Sequence, residues 1–133
     1  MSGEGSAESS VRSYQDLEVW KRSVDLVEGC YRATAVFPKD EIYGLTSQIR
    51  RSVVSIPANI AEGYGRDQTG YFIQFLKVSQ GSARELETHL LIAARLGLLS
   101  SEAAKPLQGE CEAICKMLRG LIRSIESRGG GKP

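Results

Sequence analysis

The chain has 133 residues, a length that favours a single domain. Hydrophobic residues make up 41% and charged residues 25%, ordinary globular usage that argues against a largely disordered chain. Lys and Arg number 17 against 16 Asp and Glu, a net charge of +1. That balance excludes a strongly basic nucleic-acid coat protein judged on bulk charge, but it leaves room for a local basic patch. No apolar stretch approaches the ~20 residues of a membrane span, and Met1 to Ser13 lack the apolar core of a secretory signal. The cysteines, Cys30, Cys111 and Cys115, are odd in number and contain no CxxC pair, so they do not make a disulfide framework. A cytoplasmic protein with reduced thiols and no membrane span is expected.

Residues 1–13 are rich in Gly, Ser and Glu, and residues 127–133 contain Gly129, Gly130 and Gly131; both read as disordered tails around one domain over residues 14–126. Between them the apolar residues recur at helical spacing. The first segment runs from Tyr14 to Phe37, with a stripe of Leu17, Trp20, Val24, Val27, Tyr31 and Thr34. Pro38 stops it, because the residue before a proline is pushed out of the helical region. The second segment opens near Asp40, a candidate cap, and carries Ile42, Leu45, Ile49, Val53, Ile56 and Ile60. Pro57 lies inside this stripe, removes a backbone donor and predicts a kink. Gly63 and Gly65 mark the end.

The third segment follows Asp67 or Thr69, with Phe72, Leu76, Ser79, Ala83, Leu86, Leu90 and Ala93 as its stripe. Gly97 suits a left-handed helix end. Ser100 or Ser101 then caps a fourth segment carrying Leu107, Cys111, Ile114, Leu118, Leu121 and Ile125. Heptad-like spacing and short connections predict an all-α, antiparallel up-down-up-down four-helix bundle of helices about 22 to 28 residues long.

The second segment is rich in small and polar residues, Ser52, Ser55, Ala58, Asn59, Ala61 and Gly63, and the third matches it with Ser79, Gly81, Ser82 and Ala83. Such residues let two helices approach closely, with their polar atoms partnered inside the contact; a ligand pocket at the Pro57 kink is the alternative. Arg50 and Arg51 on the second segment and Glu85 and Glu87 on the third are placed either to form interhelical or intersubunit salt bridges or to leave arginines free for phosphate, whose oxygens suit the planar guanidinium fork. Lys116, Arg119 and Arg123 share one face of the fourth segment, and Arg128 and Lys132 extend the charge. A solvated helix face is the plainer account of that patch, since cations are favoured at a helix C-terminus.

The only histidine, His89, has no evident nucleophile or orienting partner. Cys111 lies on the core stripe, where a thiol acts as a small apolar group, and the cysteine spacing fits no zinc finger or ribbon. Gly63, Gly65 and Gly70 lack the preceding strand and Lys-Ser/Thr pair of a phosphate loop and read as a helix–helix turn. No catalytic residue, metal or cofactor is therefore assigned. Tyr71, Phe72 and Phe75 cover more than one face of the third segment, which points to burial against a further surface, such as another subunit.

The runs Asp16-Leu17-Glu18-Val19-Trp20, Phe37-Pro38, Tyr43-Gly44-Leu45, Gln48-Ile49-Arg50-Arg51-Ser52, Ser55-Ile56-Pro57-Ala58-Asn59-Ile60-Ala61-Glu62-Gly63 and Gly81-Ser82-Ala83-Arg84-Glu85-Leu86-Glu87-Thr88 together resemble a known family. It is the four-helix-bundle family encoded in intervening sequences of bacterial large-subunit ribosomal RNA genes. Accessory variability proteins of diversity-generating retroelements belong to the same superfamily. The resemblance covers Tyr14 to Ile125 and implies a left-handed bundle, a homopentamer and no enzymatic activity. In the retroelement branch it implies nucleic acid and a reverse transcriptase as partners; in the ribosomal branch the role is undefined. The expectation is a scaffold whose Arg50, Arg51, Lys116, Arg119 and Arg123 contact backbone phosphates of RNA or DNA, a ring multiplying a small patch. A pure protein-interaction scaffold is the alternative.

Overall fold

A computed structural model describes residues 11–129. Most of the two expected tails, with Lys132, lies outside the described residues. A 3-10 turn at Tyr14–Asp16 leads into α1 (Glu18–Thr34), and a second at Lys39–Glu41 precedes α2 (Leu45–Tyr64); α3 (Thr69–Arg95) and α4 (Ser101–Ser127) complete the chain. Each helix packs on its neighbours in sequence and α1 closes on α4, leaving α2 and α4 on the diagonal. This is the expected all-α four-helix bundle. At about 1.5 Å per residue, α1 and α2 are shorter than α3 and α4, and α1 and α2 are shorter than expected.

The entry to the bundle is fixed locally. The Ser13 hydroxyl accepts from the Gln15 amide at 3.2 Å, and the Asp16 carboxylate accepts from the Arg12 amide at 2.8 Å and the Ser13 amide at 3.2 Å. These amides hold the Asp16 carboxyl below its usual range.

The first helix corrects the sequence reading. Its buried face is Val19, Ser23, Leu26, Cys30 and Thr34, so of the expected stripe only Leu17 and Thr34 are in the core. Trp20, Val24 and Val27 are half-buried, and Tyr31 is exposed. Two apolar arcs overlap on α1, and periodicity cannot choose between them. Ser23 and Thr34 can enter the core because their hydroxyls donate to the carbonyls of Trp20 and Cys30, both at 2.8 Å, which satisfies both donors within α1.

The start of α2 also differs. Ile42 is exposed, and the N-cap is Gly44 rather than Asp40, with Glu41 Oε1 accepting from the first helical amide, that of Leu45, at 3.0 Å. The helix begins after Gly44, whose φ −108 and ψ −119 lie outside the helical region and break the path from the preceding turn. From there Ile49, Val53, Ile56 and Ile60 are fully buried as expected, and α2 continues through the buried Pro57. On α3 every residue of the expected stripe is buried, from Phe72 to Ala93. Gly97 has φ +79, the left-handed conformation that favours glycine, and the Ser100 hydroxyl caps α4 by accepting from the Ala103 amide at 3.1 Å. On α4, Ile122 is buried and Leu121 half-buried, a one-residue shift near the helix end.

The α2–α3 seam is the closest in the bundle. The Ser55 and Ser82 hydroxyls share a hydrogen bond of 2.8 Å, and Ser79 donates to the Ile56 carbonyl at 2.9 Å. Asn59 turns back along its own helix, donating to the Ser55 carbonyl at 2.8 Å and to its Oγ at 2.9 Å. The small polar residues thus form a satisfied helix contact, as buried polar groups require. Ala58 and Gly81 face outward instead.

Candidate nucleic-acid interface

The five arginines and lysines singled out by sequence do not share one surface. Arg50 and Arg51 ride on α2, whereas Lys116, Arg119 and Arg123 ride on α4, the diagonal helix. Arg50 is engaged: its Nε donates to Thr34 Oγ1 at 2.9 Å, and its guanidinium sits 4.4 Å from the centroid of the Tyr31 ring. That arrangement ties α2 to α1. Arg51 is exposed.

The expected interhelical pairing of Arg50 and Arg51 with Glu85 and Glu87 does not form among the described residues. Glu87 bonds Arg84 at 3.0 Å, and Glu85 lies 3.6 Å from His89. Arg50 and Arg51 leave α2 on the α1 side and the outer side, whereas α3 turns its Arg84–Glu87 edge to α4.

That edge organises the α3–α4 side. Arg84 Nη1 donates to Glu112 Oε1 at 2.8 Å as well as to Glu87. The bond to Glu112 depresses that carboxyl, and the two bonds together raise the already high guanidinium pKa. The Lys116 and Arg119 charges also act on Glu112 in the same direction. Being half-exposed, the pair is worth only ~0–1 kcal/mol, but it occupies the Glu112 carboxylate, leaving the exposed Glu126 as the acid further along α4.

Beyond it the face is cationic. Lys116, Arg119 and Arg123 are exposed, and among the described residues none of them, nor Arg51, forms an ion pair. The antiparallel register set by Arg84–Glu112 brings the positions one heptad further on, Lys77 of α3 and Arg119 of α4, to equivalent places. Lys77 is exposed. The sequence reading missed it because its membership depends on the register of α3 against α4, and nothing within α3 announces it.

On the opposite side of the bundle an apolar groove lies along the α1–α2 seam. Tyr14, Trp20, Val24 and Val27 face Val54, Pro57, Ala58 and Ala61 across the α1–α2 seam, lining a groove of about 300 Å³ without a charged residue. Pro57 does line a pocket, as one reading of the sequence allows, but the pocket opens toward α1 and not between α2 and α3.

The remaining reactive groups are sequestered. All three cysteines are free and buried. Burial pushes the Cys30 thiol up to about 12 and raises Cys111 and Cys115 as well, the opposite of the lowered pKa that activates a thiol. The His89 Nε2 is buried without a hydrogen-bond partner among the described residues. No group of three His, Cys, Asp or Glu among the described residues could hold a metal ion. None of the described helices is long and apolar enough to cross a membrane.

Comparison with known proteins gives a consistent picture. The family model of the 23S rRNA-intervening sequence protein matches residues 15–120. Among solved structures, a protein of unknown function from the S23 ribosomal protein family of Bacteroides thetaiotaomicron superposes with a TM-score of 0.71 at 24% identity, covering 78% of this chain and 97% of its own. At that identity the likeness is one of fold. No curated protein matches the chain.

Proposed function

The chain belongs to the 23S rRNA-intervening sequence protein family, and from that premise we propose that it is a non-catalytic, homo-oligomeric scaffold of the cytoplasm that holds RNA or DNA by its phosphates. The observation that carries this reading is the segregation of the surface. Exposed cations without ion-pair partners, Lys116, Arg119 and Arg123, lie on the α3–α4 side, opposite an uncharged apolar groove on the α1–α2 side. Cations outside ion pairs attract polyanions most strongly, because no carboxylate has to be displaced. An apolar groove supports self-association, which would leave the cationic side outward. The oligomer of this proposal is the pentamer that the family resemblance implies, in which five copies turn a small patch into a ring.

The test is a binding titration with RNA and DNA at several salt concentrations, alongside sedimentation of the free protein. Affinity should fall steeply with salt, and the joint charge reversal Arg119→Glu and Arg123→Glu should abolish it. Undetectable association at low salt, or sedimentation as a lone subunit, would refute the proposal. In the retroelement branch a reverse transcriptase is the proposed protein partner, tested by co-purification and by whether its gene lies alongside.

A second reading, a scaffold for another protein, has its own support. Val36, Ile42, Tyr43 and Leu96 are exposed at the end of the bundle where the α1–α2 and α3–α4 connections lie. If the charge reversals leave partner protein binding intact and nucleic acid never binds, this reading replaces the first.

A further inference from the structure

We infer that the α3–α4 face is shaped for double-helical nucleic acid, with Lys77 among its cations and Gly120 as the point where a phosphodiester backbone comes against α4. The inference rests on the phosphate-binding reading above and narrows its ligand.

Three observations carry it. The first is Gly120. It lies in the interior of α4, exposed, and a Cβ placed there would meet nothing within 4 Å. Packing within the chain therefore gives no reason for a glycine, although glycine is the poorest helix former after proline. Gly120 adjoins Arg119, one turn after Lys116 and three residues before Arg123, so it sits at the centre of the cations. A missing side chain there lets another backbone approach the helix closely. Gly109, on the same helix and with equally open surroundings, lies between Lys105 and Glu110–Glu112, away from the cation cluster, and serves as an internal control.

The second observation is chemical. Helix α4 contains no aromatic residue, and the exposed rings Tyr31, Tyr43 and Tyr71 belong to α1, the α1–α2 connection and the first turn of α3. Single strands are commonly held by bases stacked on aromatic side chains. A face with cations but no stacking platform instead suits a ligand whose bases are already stacked on one another.

The third is scale. Lys116 to Arg123 span about 10 Å along α4 at 1.5 Å per residue, and Lys77 lies across the seam on a helix axis about 8–10 Å away. A rigid footprint of that size is comparable with the ~6–12 Å grooves of a duplex, whose phosphates are held in a fixed array. The Arg84–Glu112 pair bounds the footprint and keeps the Glu112 carboxylate occupied.

The experiment measures anisotropy of the full-length protein with labelled duplex DNA, duplex RNA and an unstructured DNA single strand of equal phosphate number. Both duplexes should bind roughly tenfold or more tightly than the single strand, since stacking contributes nothing here. Gly120→Leu should weaken duplex binding by roughly tenfold, whereas Gly109→Leu should leave it within about twofold, because only the first plugs the approach to α4. Lys77→Gln should lower the slope of log affinity against log salt by about 0.9 for each engaged protomer on duplex DNA. Circular dichroism checks that each variant is folded. Single-strand binding as tight as duplex binding, or equal effects of the two leucine substitutions, would overturn the inference while the phosphate-binding reading stands. Absence of binding to all three probes at low salt would overturn both.

Discussion

Replacing Gly63 with alanine should separate helix propensity from helix contact. At an open helical position this substitution stabilises by about 0.5–1 kcal/mol, because glycine loses more backbone freedom on folding. At Gly63 a Cβ would stand 2.5 Å from Phe75 Cβ, 3.2 Å from Phe72 Cδ1 and 3.3 Å from the Phe72 carbonyl oxygen. Carbon atoms in good contact are about 3.5–4.0 Å apart, so the end of α2 must draw back from the start of α3 by about 1 Å. Phe75 Cβ is the root of its side chain and moves only with the α3 backbone, so no rotamer change relieves the contact. Overpacking of this kind costs about 1–3 kcal/mol. Set against the propensity gain, the net effect is a loss of up to about 2.5 kcal/mol, or a fall in Tm of up to roughly 10 °C for a domain of this size. The matched controls are Gly81→Ala and Gly109→Ala, where a Cβ meets nothing within 4 Å. Both should raise Tm by about 2–5 °C on the same scale. Thermal melts by far-UV circular dichroism at one fixed protein concentration make the comparison, since self-association makes Tm concentration-dependent. Gly63→Ala melting as high as Gly109→Ala would refute the close α2–α3 contact.

Other expectations test separate parts of the molecule. Ser55→Ala and Ser82→Ala should each cost about 1 kcal/mol by chemical denaturation, and the double variant less than their sum, because Ser55→Ala leaves the Ser82 hydroxyl without its partner and Ser82→Ala leaves Ser55 only its Asn59 bond; strict additivity would argue against the shared hydrogen bond. Arg50→Met should cost about 1–2 kcal/mol through the lost Thr34 bond and Tyr31 stacking while leaving the salt slope of nucleic-acid binding unchanged; a reduced slope would instead place Arg50 on phosphate. The folded-state Cys30 pKa is raised to about 12 from 9.0, so at alkaline pH the unfolded chain binds fewer protons than the native one. Stability is therefore present in full below about pH 9 and falls from there toward 12, and a thiol reagent at neutral pH should label Cys30 only after unfolding; rapid labelling of the native protein would contradict its burial. Asp16 and Glu112 are shifted the other way. Their contribution is present above the ordinary carboxylate range and is lost as pH falls through their lowered folded values. Asp16→Asn and Glu112→Gln should each flatten the acid limb of a plot of Tm against pH, and an unchanged limb would remove these groups from the linkage.

Much of this was legible in the chain itself. The α3 stripe from Phe72 to Ala93 is buried throughout because its apolar residues occupy a single narrow arc, which a helical period identifies without help. Gly97 and Ser100 set the α3–α4 connection by local chemistry, a left-handed backbone and a hydroxyl cap, and local chemistry is written in local sequence. The small residues of α2 and α3 announced a close helix pair, since hydroxyls and an amide spaced along two stripes need each other or their own carbonyls. Tertiary structure alone decided the rest. The first helix has two competing apolar arcs, and the packing of α2 and α4 around it selected the one bearing Val19, Leu26 and Cys30, leaving Trp20 and Val24 to line a groove. Arg50 and Arg51 are adjacent in sequence, yet one is bound to Thr34 and the other is exposed, because a step of about 100° around a helix carries the second away from α1. Lys77 joins the cations of α4 only through the register of two antiparallel helices. Periodicity fixes which residues share a face; it does not fix which neighbour that face meets, because that depends on the combined shape of all four helices.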